Sequence, residues 1–161
     1  MPTSGYRRIM MIMNINPISA ELQAEVEKLK SRIPEAFSKT IDVDEGWYQI
    51  VVDCSKAIDA IYPHYKILQI KQKFGGLRFY LDIHGDATKE QCNKIYKIIR
   101  KYEKIAGQTC EATGLPGVPM KSPHGWLKTL NPEYAAASLH YARYEVVNKP
   151  PSDEEWSDAI R

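Results

Sequence analysis

Apolar residues recur along the chain at two spacings, and the switches between them mark its elements. Ile18, Leu22, Val26, Leu29 and Ile33 fall at steps of three and four, the period of an amphipathic helix. Asn16-Pro17 ahead of them reads as a cap followed by proline in the first turn, and Pro34 ends the run. A second helical stripe, Trp47, Ile50, Val51, Cys54, Ile58 and Ile61, follows the turn IDVDEG, with Asp44 as its expected cap and Pro63 as its stop. In KILQIKQKFGGLRFYLDIHG the period becomes two. Leu68, Ile70, Gln72 and Phe74 alternate with Ile67, Gln69, Lys71 and Lys73, and Leu77, Phe79, Leu81 and Ile83 alternate with Arg78, Tyr80 and Asp82. This pattern predicts a β-hairpin turning at Gly75-Gly76.

Thr88 and Gln91 make a capping box that opens a third helix, running to about Ala106 with Gly107 at its end. Its expected buried face is Cys92, Ile95, Ile98, Ile99, Tyr102 and Ile105. A further helix is predicted in the alanine run from Glu133. The order of elements argues for an α+β fold, a β-hairpin or small antiparallel sheet packed with three to four helices. The 161 residues suit a compact single domain, with a core over about 16–147 and possible mobile ends at 1–13 and 148–161. Trp156 is the one residue expected to dock that acidic tail.

Composition narrows the class without naming a function. The apolar fraction of 43% and charged fraction of 26% are those of a soluble globular protein. The apolar run over 9–13 is too short for a signal peptide, which needs roughly 7–15 such residues, and nothing approaches the ~20 of a membrane span. Three cysteines, Cys54, Cys92 and Cys110, are too few and too odd for a disulfide framework. A reduced, cytoplasmic protein with no membrane partner is expected.

The net charge of +2 hides an asymmetry. Between His64 and Lys104 ten Lys or Arg stand against four Asp or Glu, while the tail carries Asp153, Glu154, Glu155 and Asp158. Lys71, Lys73 and Arg78 flank Gly75-Gly76 on the face opposite the apolar hairpin residues, with Tyr80 among them. Lys94, Lys97, Lys101 and Lys104 recur at steps of three, four and three, a basic stripe along the third helix. Such a face can neutralise phosphates or an acidic protein surface, and glycines allow close backbone approach. It also serves as the polar side of a half-buried hairpin, where lysine discourages edge pairing. Nucleic acid would need stacking aromatics, for which Tyr80, Tyr96 and Trp126 are available, but no nucleic-acid fingerprint is present.

The stretch TCEATGLPG looks like half of a metal knuckle. Cys110 opens it, but Thr113 stands where a second thiolate belongs, and Asn131 and Tyr134, at the same spacing further on, are poor zinc ligands. The expected reading is a turn held by glycine geometry, with Cys110, Gly114, Pro116, Gly117 and Trp126 as its structural residues and no metal. No GxSxG, HExxH, P-loop or GxGxxG motif occurs. No catalytic residue and no cofactor are expected.

Three stretches together resemble a family of small bacteriophage and prophage proteins. They are the helix start GWYQIVVDCSKAI, the hairpin KQKFGGLRFYLDI and the knuckle with Cys110, Gly114, Pro116, Gly117, Gly125, Trp126, Thr129 and Leu130. The resemblance spans about 45–135. It departs at Thr113, Asn131 and Tyr134, where family members carry cysteine, cysteine and histidine, so the resemblance implies a former zinc knuckle that keeps its shape without metal. It implies a phage source and a fold but no established activity. The expected function is therefore a non-enzymatic accessory protein that binds a host protein or other anionic macromolecule, through the basic hairpin and third helix. The alternative is a small-ligand module that sequesters a nucleotide or phosphorylated signal at the Gly-Gly turn.

Overall fold

The computed structural model describes residues 4–83 and 85–147. Five helices, α1 (Ser4–Ile12), α2 (Ala20–Leu29), α3 (Tyr48–Asp59), α4 (Lys89–Ala106) and α5 (Pro132–Ala137), pack with two three-stranded sheets. The first sheet has the order β1 (Ile41–Asp42), β2 (Lys66–Lys73), β3 (Gly76–Asp82); the second runs β5 (Leu127–Leu130), β4 (Val118–Lys121), β6 (Glu145–Val146). The expected α+β class is the one observed. The second sheet and the parallel pairing of β1 with β2 were not legible in the pattern, because strands of two to four residues carry too few positions to show a period.

Two apolar clusters hold these elements. The larger joins α2, α3, α4 and the first sheet, with Trp47, Val51, Ile58, Ile67, Ile70, Leu77 and Ile95 all but inaccessible to solvent. Every residue of the predicted stripe on α3 is buried or packed against this cluster. On α4 one expected core residue, Ile105, is exposed and Ala106 is buried instead.

The hairpin obeys the alternation with two adjustments. A bulge between Ile67 and Gln69 takes Leu68 out of register, so that Ile67 and Ile70 both face the core although strict alternation separates them. The turn is centred on Phe74-Gly75, one residue earlier than expected, with φ of 53° and 79°. Positive φ at both central residues is the signature of the type I′ turn, whose twist matches the strands. Gly76 is the first residue of β3, opposite Lys73.

The smaller cluster, Ile15, Cys110, Met120, Leu130, Tyr134 and Ala135, receives α1 through Ile9, Met10 and Met13. Ile9, Met10 and Met13 of the stretch given as a possible mobile end thus pack on the fold. The helix stops in a Schellman arrangement: Asn14 has φ 57°, its N–H bonds the Met11 carbonyl, and the Ile15 N–H reaches the Met10 carbonyl at 2.8 Å. Ser19, not Asn16, caps α2, accepting the Leu22 N–H at 3.0 Å. The capping box on α4 is present as predicted. The expectations about residues 148–161 and Trp156 lie outside the described residues.

Candidate functional site

The basic positions singled out in the sequence come from two elements that meet. On the outer face of the hairpin Lys71 is the cross-strand partner of Arg78, and Gln69 that of Tyr80. Like charges directly opposite each other weaken a strand pair. Arg78 acts on Glu103 of α4, whose carboxyl burial holds above its ordinary value against the pull of Arg78, the Phe79 backbone N–H and Arg100. Glu103 thus sits between the hairpin's basic face and the helix. Lys94, Lys97, Arg100, Lys101 and Lys104 are all exposed. Lys94 pairs with Glu90 at 3.2 Å, whereas Lys71, Lys73, Lys97, Lys101 and Lys104 form no ion pair among the described residues. Exposed rings accompany them: Tyr80, with the Lys71 ammonium 6.0 Å from its centroid, and Tyr96.

The Gly75-Gly76 turn does not open to solvent on all sides. A Cβ at Gly75 would lie 3.2 Å from the Lys128 backbone nitrogen, and the Gly75 carbonyl accepts the Thr129 hydroxyl at 2.7 Å. Gln72 donates to the Leu127 carbonyl at 3.3 Å. The close backbone approach that glycine permits is made here by the chain's own β5.

The knuckle keeps its form through hydrogen bonds. Cys110 is fully buried, its carbonyl accepts the Gly114 N–H at 2.8 Å, and its N–H reaches the Leu115 carbonyl at 2.7 Å. Gly114 takes a φ of 78°, and a Cβ on Gly117 would come within 2.6 Å of the Cys110 nitrogen. Pro116 accepts from the Asn131 amide at 3.0 Å. The three residues that the resemblance sets at ligand positions have local work: Thr113 accepts the Leu115 N–H, Asn131 caps α5, and Tyr134 fills the smaller cluster. Among the described residues no three His, Cys, Asp or Glu side chains converge as a metal site. Trp126 takes part in its turn through its backbone and not through its ring. Its backbone closes the β4–β5 turn through Ser122, but its ring is 73% exposed.

Beside the knuckle lies an ionic network that the sequence did not announce. Lys128 bonds Asp44 at 2.8 Å and the buried Glu111 at 3.0 Å, and Glu111 also accepts the Asp44 N–H at 3.0 Å. Asp44, the expected cap, stands at the N-cap position of the 3-10 turn Glu45–Trp47 that leads into α3, but its side chain makes no capping bond and serves this network instead. In β5 the side chains of Lys128 and Leu130 share one face, and Leu130 is fully buried, so Lys128 is turned inward. Burial opposes the Lys128 ammonium, but its bonds to Asp44 and Glu111 hold its pKa above the ordinary lysine value. Burial raises the Glu111 carboxyl, outweighing the pull of Lys128. An amine nucleophile needs the opposite shift, so this lysine is a structural cation.

Cys54 is equally unsuited to chemistry: burial, with a smaller contribution from Glu103, pushes its thiol up to about 12. A thiol that ionises at 9.0 in the unfolded chain and about 12 in the folded one gives stability that is complete below pH 9. It is lost as pH rises toward 12, on the order of 4 kcal/mol over the window. Burial also raises Tyr134 to about 12, which acts in the same direction above pH 10. An alkaline titration followed by circular dichroism should show unfolding between pH 9 and 12, and Cys54→Ala should flatten the slope there. An equal slope in the variant would remove Cys54 as the cause.

No family model matches the chain, and no curated protein or solved structure matches it either. Among the described residues no helix is long and apolar enough to cross a membrane.

Proposed function

We propose that the protein is a non-enzymatic, phage-type accessory protein that acts in the cytoplasm of a bacterial host by binding an acidic surface of a host protein. A component of a defence or regulatory system is the natural target for such a protein. The observation that carries this reading is the set of exposed lysines along α4, Lys97, Lys101 and Lys104, which form no ion pair among the described residues; Lys71 and Lys73, half-buried on the hairpin, likewise form none. Cations gathered along one side of α4 repel one another, and an acidic partner relieves that repulsion while steering its own approach. Tyr96 offers exposed apolar area on the same helix, and Tyr80 does so on the hairpin. The buried thiol of Cys54 and the raised pKa of Lys128 favour binding over covalent chemistry.

The test compares the wild-type chain with Lys71→Glu/Lys73→Glu and Lys97→Glu/Lys101→Glu variants in affinity capture from nuclease-treated bacterial lysate. Arg78 is spared, because its charge compensates the half-buried Glu103. An acidic protein should be captured at low salt and released at high salt. Charge reversal on α4 should weaken that binding by roughly 100-fold or more. A partner held equally by both variants, or one lost on nuclease treatment, overturns the reading.

A further inference from the structure

A groove of about 540 Å³, lined by none of the α4 lysines, lies between the C-terminal half of α2, α3 and the connection leading into β2. Its floor is polar and built: the hydroxyls of Ser55 and Tyr65 bond each other, and the two residues are only 4% and 1% exposed. Arg32 stands over the Tyr65 ring at 4.1 Å from its centroid. It is fixed there by the Pro63 carbonyl at 3.0 Å, the Tyr65 carbonyl at 3.1 Å and the Asp59 carboxylate. A guanidinium held by several acceptors and a ring face costs little further entropy when a ligand reaches it.

The charges in this groove do not cancel. Asp59 is taken by Arg32, and Glu25 by Lys56 at 2.8 Å. Lys28 and Lys66 also line the groove and have no ion pair among the described residues. Ammonium and guanidinium groups offer donors and no acceptors, so a ligand must bring the acceptors and about two negative charges. A phosphate monoester near neutral pH does both. The volume exceeds what a bare phosphate fills and falls in the range of small-molecule sites, roughly 300–1,000 Å³. Leu29 and Val52 supply an apolar wall for the organic portion.

We infer that this groove binds a small phosphate monoester, with Lys28 and Lys66 on the phosphate and the ester's organic part against Leu29 and Val52. The site is independent of the basic face on α4 and stands whether or not that face binds protein. Titration calorimetry at low ionic strength, with adenosine 5′-monophosphate, ribose 5-phosphate and inorganic phosphate as probes, tests it. At least one ester should bind more tightly than inorganic phosphate. The Lys28→Ala/Lys66→Ala variant, whose two positions are exposed and whose melting should be unchanged, should lose roughly 100-fold in affinity. The Lys97→Glu/Lys101→Glu variant should keep it, which separates this site from the protein-binding face. Failure of all three probes to bind, or equal affinity in the Lys28/Lys66 variant, overturns the inference.

Discussion

Gly46→Ala is expected to remove about 3 kcal/mol or more of stability, a large part of the roughly 5–15 kcal/mol that holds a domain together. The added Cβ would lie 2.4 Å from the carbonyl oxygens of Cys110 and Glu111 and 2.6 Å from the Gly114 nitrogen. All three are backbone atoms of the knuckle, so no side chain can turn aside. Relief requires the knuckle to separate from the start of α3. That separation strains the bond from the Trp47 indole to the Thr109 carbonyl, 2.8 Å, and the Asp44 to Glu111 bond, 3.0 Å. Denaturant unfolding in a Cys92→Ala background should show a much lower midpoint, and the buried Cys110 should begin to react with a thiol reagent. Gly5→Ala is the control, since nothing lies within 4 Å of a Cβ there. A Gly46→Ala protein with wild-type stability and an unreactive Cys110 would show that the knuckle and the helix start are not locked together.

Lys128→Met should cost about 3–5 kcal/mol, because it leaves the carboxylate of Glu111, 2% exposed, without its cation. Asp44 is less affected, with roughly half of its side chain in water. Glu111→Gln added to Lys128→Met should recover most of the loss, since no buried charge then remains, and a double-mutant cycle reads the coupling directly. The pH dependence gives a second check. In Lys128→Met the folded-state pKa of Glu111 stands further above its ordinary 4.5. A raised carboxyl favours the folded state below its unfolded value and loses that contribution as pH rises through its folded value. The deficit of the variant should therefore narrow as pH falls toward 5. A deficit that is constant with pH would mean that Lys128 acts through packing and not through charge.

These two contacts account for motifs that were visible without an explanation. The pair Gly46-Trp47 was legible as a helix start, but its reason is the passage of the knuckle backbone over Gly46. Gly75 was legible as a turn residue, and the open cradle expected there is instead closed on one side by Lys128 and Thr129. Each glycine meets a segment more than 50 residues away in the chain. Arg32, Ser55 and Tyr65 were equally silent, because a groove formed by three separate segments leaves no spacing to read.

Periodicity was enough for α2, α3, α4 and the hairpin, since each buries one face of a regular element and burial imposes its period on the residues. The same physics placed the lysines of α4 in water, on the side opposite Ile95 and Ile99. Short strands, the bulge at Leu68, the inward turn of Lys128 and the docking of α1 through Ile9, Met10 and Met13 depend on which distant surface each segment meets. A local pattern records that a residue is buried or exposed. It does not record what buries it, and the ionic network, the turn at Cys110 and the α2–α3 groove all arise from that pairing of surfaces.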